Sequence, residues 1–301
     1  NAVTVSRFDY LNNAIAMRTR RVDTLGGSAL PVTNAFANNM RGELTAATMG
    51  TNSYAFAYDP IGNRLASTNN LSGWVYYSNP LNQYTLITNR VNHVHPSQMI
   101  PTYDLDGNMT YDGQEWHYVW NGENRLIRIE SLPSVPDDFK FCIENEYDHM
   151  GRRVSKTVKH DYSMGSYTAT NSTTYIWNAW DLVCAMSSNG FTNYYVGGTG
   201  CLLSMTLVTN HDAKTYFYCQ DALGNIVQML DDEGATVAEY EYYPYGGQIR
   251  STGSKALGNI FRYGAHIYDQ EAGGYSAWGK GTAEVCGECY TLEMEYSFRQ
   301  V

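Results

Sequence analysis

The chain has no apolar run long enough to cross a membrane, and Asn1 to Arg20 lacks a basic start followed by an apolar stretch. The sequence leaves open a secretion signal upstream of Asn1. Only 17% of its 301 residues are charged, and the acidic excess gives a net charge of -10. Nucleic acids and anionic membranes bind basic surfaces, so this balance argues against both as partners.

Cysteine is scarce. Six cysteines at irregular spacings define no disulfide framework in a chain of this length, which leaves the redox compartment undecided. Cys286 and Cys289 have the spacing of a redox or half-zinc site, but no second Cys/His pair stands at a suitable distance. His93 and His95 would share one side of a strand, again without an evident third ligand. The favoured interpretation is that neither pair binds a metal.

Motifs for nucleotide binding and serine hydrolysis are incomplete or missing. The segment from Gly274 to Lys280 resembles a phosphate-binding loop, but Gly281 replaces the Ser or Thr that would bind Mg²⁺. Gly197 to Gly200 lacks the last glycine of a dinucleotide-binding fingerprint. No Gly-x-Ser-x-Gly elbow occurs. The sequence therefore predicts no catalytic, cofactor-binding or metal-binding residue, and no enzyme.

What the chain does contain is a repeated turn signal, in which Tyr-Asp is followed by glycine three residues after the aspartate. Aspartate can accept a hydrogen bond from the backbone two residues on, and glycine or asparagine tolerates positive φ. Each copy therefore predicts a tight reversal between two strands. Clear copies occur at Tyr58 to Gly62, Tyr103 to Gly107 and Tyr147 to Gly151, with degenerate ones at Phe8 to Asn12, Asn39 to Gly42, Trp120 to Asn124, Asp221 to Gly224 and Asp231 to Gly234.

Residues on either side of the turns alternate between aromatic and small or polar types, which is strand periodicity. The 26 Tyr and 27 Gly suit a pleated surface and its turns better than helices. One hairpin cannot bury its aromatic face alone, so neighbouring hairpins should pair edge to edge in a continuing sheet. The sequence thus predicts an all-β array, with alternation clearest at Tyr54, Phe56, Tyr58, at Trp116, Tyr118, Trp120 and at Ala238, Tyr240, Tyr242.

Carboxylates are the remaining candidates for chemistry, since paired carboxylates can act as general acid and base. The recurring aspartates, however, each have a capping role in their own turn, which argues against one shared site. Asp231, Asp232 and Glu233 could bind Ca²⁺ weakly, but an exposed acidic turn explains them more simply. The aromatic stripes are better interpreted as core than as a sugar-binding platform.

An ordered series of segments resembles the Rhs/YD-repeat family, which includes bacterial Rhs proteins, the C components of insecticidal toxin complexes, wall-associated proteins and teneurins. The resemblance covers about residues 5 to 274, and its order and spacing both match. It is carried by Tyr58 to Arg64, Asn79 to Tyr84, Tyr103 to Asn108, Trp120 to Leu126, Tyr147 to Val154, Asp221 to Val227, Tyr240 to Gly246, Phe261 to Tyr263 and Tyr268 to Gly273.

The resemblance implies stacked antiparallel hairpins in a spiralling sheet, part of an Rhs-type shell. It divides the chain into a repeat array over 1–215, an incomplete Rhs repeat-associated core over 216–274 and an off-pattern tail over 275–301. The Asp-Pro-x-Gly region that relatives use for self-cleavage is missing after Gly273, so that activity is not transferred to Asp221 or any other residue. A reading-frame change near Gly274 is a hypothesis for the altered ending.

The resemblance implies a function without catalysis. The leading interpretation is a structural segment of a shell that encapsulates a polymorphic C-terminal toxin, with that cargo or the rest of a longer Rhs polypeptide as partner. An alternative is a cell-surface adhesion or recognition module that presents aromatic strand faces to a carbohydrate or a protein. A self-processing protease is a third, weaker alternative. The resemblance favours a secreted or cell-surface location.

Overall fold

The computed structural model describes residues 5–26, 30–70, 72–89, 98–198, 201–210, 212–276 and 283–285. Strands and tight turns make up nearly all of these residues, and none of them is α-helical. Among them, no helix is long and apolar enough to cross a membrane. The chain folds as two compact units, Asn1–Gln114 and Glu115–Val301. The predicted all-β fold is confirmed.

Within the described residues, the first unit is built on nine antiparallel strands that pair in chain order, followed by a short hairpin. Each strand of the sheet pairs with the strand before and after it in the sequence, as the hairpin repeat predicts. The strands are β1 Ser6–Asn12, β2 Arg18–Leu25, β3 Val32–Asn38, β4 Leu44–Met49, β5 Asn52–Tyr58, β6 Arg64–Thr68, β7 Gly73–Ser78, β8 Tyr84–Asn89, β9 Gln98–Met99, β10 Thr102–Tyr103 and β11 Met109–Tyr111.

The second unit continues the plan over its described residues. Its main strands pair antiparallel in chain order, and a small three-stranded sheet follows them. Single 3-10 turns lie at Asp137–Phe139 and Tyr263–Ala265. The strands are β12 Trp116–Trp120, β13 Leu126–Ser131, β14 Cys142–Tyr147, β15 Arg153–Ser163, β16 Ser166–Asn178, β17 Asp181–Ser187, β18 Thr192–Gly198, β19 Cys201–Val208, β20 Ala213–Gln220, β21 Ile226–Leu230, β22 Thr236–Tyr242, β23 Gln248–Thr252, β24 Ile267–Asp269, β25 Gly274–Ser276 and β26 Ala283–Val285.

The predicted alternation is confirmed in the strands that carry it. In β5, Tyr54 is buried whereas its neighbour Ala55 is exposed. In β12, Trp116 and Tyr118 are buried and His117 between them is exposed. In these strands the large rings therefore turn to the covered face, because burying a large ring removes the most apolar surface from water.

The first unit packs a row of side chains across adjacent strands. Tyr76 of β7 pairs with Ile87 of β8, which pairs in turn with Met99 of β9. All three are at most 3% exposed. The Tyr76 ring also contacts Tyr84 of the same hairpin, with ring centroids 5.5 Å apart. This packing joins a strand only to its near neighbours.

The second unit has a larger core because a later segment folds over its sheet. Tyr195, Met205 and Tyr216 lie side by side on β18, β19 and β20. Phe261, from beyond the sheet, is fully buried against this row, and its ring contacts Tyr195 edge-on at 5.0 Å. Ile267 joins the same cluster. The segment after β23 thus covers one face of the sheet.

Candidate functional site

The turn that begins at Asp59 shows how the repeat reverses the chain. The Asp59 N–H donates to the Asn63 carbonyl at 2.9 Å, and the Gly62 N–H donates to the Asp59 carbonyl at 3.1 Å. Oδ1 of Asp59 accepts the N–H groups of Ile61 and Asn63 at 3.0 and 2.7 Å. Gly62 has a φ of 88°, a value that glycine adopts without strain. The aspartate therefore stabilises the backbone of its own turn.

The same backbone and side-chain bonds recur along both units. In each case an Asp or Asn oxygen accepts the N–H groups two and four residues later. The predicted capping role of the recurring aspartates is confirmed. The further turns of this type begin at Asn13, Asn39, Asn79, Asp104, Asn121, Asp148, Asp221 and Asp231.

One predicted turn is wrong. Asp9 and Asn12 lie inside β1, where the Asp9 carboxylate forms an exposed ion pair with Arg7. The reversal begins at Asn13 instead, and Ala16 takes the positive φ, 63°, in place of a glycine. Asn13 can cap a turn as aspartate does, so the reversal follows the capping residue.

In six of these turns a second side-chain bond links the first and fifth residues. The Asn63 amide donates to Oδ2 of Asp59 at 2.7 Å, and the Arg152 guanidinium donates to Asp148 at 2.7 Å. Burial opposes ionisation of Asp59, but the bonds from Asn63 and the turn backbone hold its pKa below the usual range. The same balance lowers the pKa of Asp104 and of Asp148. These carboxylates are occupied separately, each in its own turn.

The other residues singled out in the sequence do not converge either. Asp231 accepts the N–H groups of Glu233 and Ala235 at 3.2 and 2.7 Å, while Asp232 and Glu233 are exposed. In the described part of the chain, no three His, Cys, Asp or Glu groups are placed to hold a metal ion. No disulfide joins the cysteines that the structure describes, which are Cys142, Cys184, Cys201 and Cys219. The predictions at His93, His95, Lys280, Gly281, Cys286 and Cys289 lie outside the described residues.

A buried charge cluster that the sequence did not predict joins β15 to the C-terminal segment. We call Arg153, Lys156, Asp269 and Glu271 the lock. Arg153 Nη1 lies 2.6 Å from Asp269 Oδ2, and Lys156 Nζ lies 2.9 Å from Asp269 Oδ1. Lys156 also pairs with Glu271 at 2.6 Å. Two strands more than a hundred residues apart are thereby tied together.

The lock is one of the most deeply buried polar groups of the second unit. The Arg153 and Asp269 side chains are 2% and 4% exposed. Burial opposes ionisation of Asp269, but the charges of Arg153 and Lys156 outweigh it and hold the pKa of this carboxyl well below its usual range. The carboxylates likewise raise the pKa of Lys156 above its ordinary value despite its burial. Arg153, Lys156 and Asp269 therefore stay ionised at neutral pH.

Tyrosine and tryptophan side chains lie around the lock. The Arg153 guanidinium lies over the Tyr175 ring, 5.2 Å from the centroid. The Trp177 indole donates to the Arg153 carbonyl at 2.8 Å. Burial raises the pKa of Tyr147 to about 12, so this phenol stays neutral beside the cluster. Such an arrangement excludes water and holds a strand in place, because removing any one charge would leave its partners buried and unpaired.

A second set of long-range contacts joins the segment after β23 to the turn that begins at Asp221. Asn225 Oδ1 accepts the Gly264 N–H at 2.7 Å, and the Ile226 N–H donates to the Arg262 carbonyl at 3.0 Å. The Arg262 guanidinium lies 4.4 Å from the centroid of the Tyr240 ring. One copy of the repeated turn has thus become a docking point for the segment.

One signal in the sequence could have indicated the lock. Lys156 lies two residues before the buried Val158, so one cation stands where the strand alternation predicts core. Arg153, three residues before Lys156, is buried as well. Asp269 and Glu271 lie two residues apart near the C-terminal end of the chain and carry the opposite charge. Buried cations require carboxylate partners, yet the sequence alone could not select which ones.

This architecture, antiparallel hairpins in chain order with a later segment packed on the second sheet, defines an all-β repeat protein. The family model described as teneurin YD-shell matches residues 20–273. The chain therefore belongs to the teneurin YD-shell family, and the resemblance to Rhs/YD-repeat proteins is confirmed.

Two curated relatives come from Bacillus. The tRNA nuclease WapA of Bacillus subtilis (strain 168) is 30% identical over 221 residues, which cover 73% of this chain and 9% of that protein. The tRNA3(Ser)-specific nuclease WapA of Bacillus spizizenii is 29% identical over 222 residues, again 73% of this chain and 9% of that protein. The chain spans less than a tenth of the length of these relatives.

Among solved structures, the crystal structure of TcdB2-TccC3 is similar in fold. The match has a TM-score of 0.50 at 13% sequence identity and covers 95% of this chain and 19% of that one. At this identity the likeness shows the fold alone, and that fold agrees with the family assignment.

Proposed function

We propose that this chain is a structural, non-catalytic segment of a YD-repeat shell that encloses a toxin domain C-terminal to it in a longer polypeptide. Residues 1–215 would supply repeats of the wall, and residues 216–274 would supply part of the segment that closes it. Residues 275–301 would lie outside the repeat pattern. The lock carries this proposal, because it anchors the closing segment to a wall strand more than a hundred residues away.

The use of the carboxylates supports a structural role. In the described residues, the recurring turn aspartates accept backbone N–H groups, and Asp269 neutralises two buried cations. A general acid or base needs a carboxyl that can reach a substrate and exchange its proton near neutral pH. The low pKa of Asp269 and its burial suit neither requirement. The nuclease activity named for the WapA relatives would then belong to other parts of those proteins.

Two experiments test the proposal. In the first, the purified chain is incubated with tRNA, with a WapA nuclease preparation as the positive control. We expect the tRNA to stay intact. Cleavage that survives further purification and disappears in a turn variant such as Asp104→Asn would refute the non-catalytic role.

The second experiment addresses encapsulation in the full-length polypeptide that contains this chain. Limited proteolysis of that polypeptide should spare the region C-terminal to the repeats, and Asp269→Ala should expose the region to cleavage by loosening the closing segment. The exposed pair variant Asp9→Ala is the matched control and should preserve protection. Rapid cleavage of the C-terminal region in the unaltered protein would rule out enclosure.

A further inference from the structure

One side of the sheet in the second unit carries no charge over five adjacent strands, β16–β20. Side chains alternate along a strand, so the neighbours of the buried Tyr195 and Met205 point to the opposite side of the sheet. We call this opposite side of β16–β20 the neutral face. All of its residues are uncharged, and they are Thr174, Ile176, Cys184, Met186, Thr192, Tyr194, Val196, Ser204, Thr206, Val208, Ala213, Thr215 and Phe217.

Large apolar side chains stay exposed on the neutral face. The exposed fraction lies between 39% and 53% for Ile176, Met186, Tyr194, Val196 and Phe217. On the covered face of the same strands, Tyr195, Met205 and Tyr216 are at most 5% exposed. In the part of the unit that the structure describes, water therefore contacts a patch of aliphatic and aromatic groups. Exposed apolar patches of this kind mark sites of protein–protein contact.

Charged side chains flank the neutral face on the same side of the sheet. Lys159 of β15 pairs with Glu144 of β14 at 2.7 Å. Beyond the other edge of the face, Arg250 of β23 pairs with Glu239 of β22, also at 2.7 Å. Protein interfaces have this anatomy of an apolar centre within a polar rim, because a charge at the centre would lose its water on contact. The distribution of charge therefore identifies β16–β20 as the centre of a contact surface.

The relief of the neutral face is suited to packing against a copy of itself. In the strand register, Tyr194 and Val196 of β18 pair with Thr206 and Ser204 of β19, and Ser204 pairs in turn with Phe217 of β20. Small side chains on β19 thus separate two rows of large ones. Two such faces interdigitate when large residues of one lie over small residues of the other. A two-fold axis near Tyr194 would place the β18 row of each copy over the β19 row of its partner.

Charge and size both bear on a second copy of this chain as the partner. The chain carries a net charge of -10, so two copies repel each other in most orientations. Contact through the neutral face brings no like charges together at its centre. Five strands with about five residues each give a face of roughly 20 by 17 Å. A standard interface buries about 800 Å² on each partner, so a face of this size should support only weak association.

We propose that the neutral face binds the neutral face of a second copy, forming a weak two-fold dimer centred on Tyr194. The contact uses the side of the sheet opposite to the one that the segment after β23 covers, so the core and the lock stay intact. It adds to the structural role a self-association that the wall of a shell does not require.

Sedimentation velocity of the whole chain over a range of concentrations tests the proposal. We expect a dimer with a Kd of about 100 μM or below, strengthened by added NaCl because salt screens the net repulsion between copies. Tyr194→Glu places like charges at the centre of the contact and should weaken the dimer at least about tenfold. Phe139→Glu is the matched control, since it alters an exposed aromatic residue away from the neutral face, and it should leave the dimer unchanged.

A mixture of two variants tests the two-fold arrangement. Tyr194→Lys alone should be as monomeric as Tyr194→Glu, but an equal mixture of the two should form a heterodimer, because a residue near the axis faces its own counterpart. A mixture that stays monomeric would overturn the two-fold contact at Tyr194. If the circular dichroism of the Tyr194 variants differs from that of the unaltered chain, Phe217→Glu replaces Tyr194→Glu in the sedimentation test and should also weaken the dimer.

Three further results would overturn the proposal. One is a chain that stays monomeric throughout the concentration range, including the case in which only a longer polypeptide protects β18 from hydrogen exchange, which would show that another part of that polypeptide covers the face. Another is an equal loss of association in Tyr194→Glu and Phe139→Glu. The third is association that survives both Tyr194→Glu and Phe217→Glu, which would place the contact at a sheet edge or on another surface.

Discussion

The sheets of the two units are made with the same turn, yet they are stabilised over very different distances along the chain. In the first unit, side-chain bonds such as Asn63 to Asn82 and the Arg64 N–H to the Tyr84 hydroxyl join residues about one hairpin apart. In the second unit, the lock spans 116 residues between Arg153 and Asp269. Over its described residues, the first sheet is stabilised by contacts between neighbouring strands. The second sheet is also covered by the segment that follows β23.

The difference shows how one repeat can serve two purposes. An array held by neighbours alone gains stability roughly in proportion to its length and can be extended at either edge. A segment folded over the sheet adds contacts that no single hairpin can provide, and it couples distant strands into one cooperative unit. The described parts of the two units therefore differ in what covers their strands, while the strands themselves are alike.

The largest expected effect is that of Asp269→Ala, which leaves Arg153 buried without its carboxylate partner and Lys156 with Glu271 alone. Breaking such a pair costs about 3–5 kcal/mol. Urea unfolding with hydrogen exchange read on β15 and residues 259–269 should show this loss in the second unit. Asp9→Ala removes an exposed pair of the first unit, and its effect should be too small to detect. Equal losses in the two variants would remove the proposed difference between the units.

Glycine substitutions test whether a turn is limited by its own backbone or by what lies against it. A Cβ at Gly253 would lie 2.3 Å from the Val237 carbonyl oxygen, so Gly253→Ala should cost about 3 kcal/mol or more. A Cβ at Gly107 would meet only the Gln83 amide at 3.7 Å, so Gly107→Ala should cost about 1 kcal/mol of backbone strain. Thermal unfolding of both variants measures the gap. Similar losses of stability in the two variants would mean that the backbone around Gly253 and Val237 moves apart at little cost.

The fifth residue of two equivalent turns gives a smaller contrast. Asn108→Ala removes one bond to Asp104 and should cost about 1 kcal/mol. Asn225→Ala also removes the acceptor of the Gly264 N–H, so we expect about 2 kcal/mol. The hydrogen-exchange rate of the Gly264 N–H should rise only in the Asn225→Ala variant. Unchanged exchange protection of the Gly264 N–H would show that Asn225 does not hold the segment after β23 in place.

The smallest expected effect is a difference in stability at low pH. The folded pKa of Asp269 lies below its unfolded value, so its contribution to stability is present above about pH 4 and is lost as the pH falls further. Asp269→Asn cannot titrate and should lose less stability than the unaltered chain between pH 6 and pH 3, by about 1 kcal/mol. Denaturant midpoints across this range measure the difference. Parallel pH profiles would show that Asp269 does not titrate with folding.

Local features were predictable from particular residues. The Tyr-Asp signal at Asp59, Asp104 and Asp148 located turns correctly, since the capping oxygen and the glycine act within five residues. The prediction was wrong at Asp9, where the capping residue is Asn13 and no glycine follows it. A turn at Tyr243 to Gly247 closes its backbone without any aspartate, so this kind of turn does not require the side-chain signal.

The sequence by itself determined the all-β class, the strand-turn-strand unit and the pairing of neighbours, because these depend on side-chain alternation and on hydrogen bonds within a few residues. Only the tertiary structure decided that Asp269 meets Arg153 and that Phe261 packs on Tyr195. Such contacts join residues tens to more than a hundred positions apart. Their partners are selected by the twist and stacking of whole sheets, which no local pattern encodes.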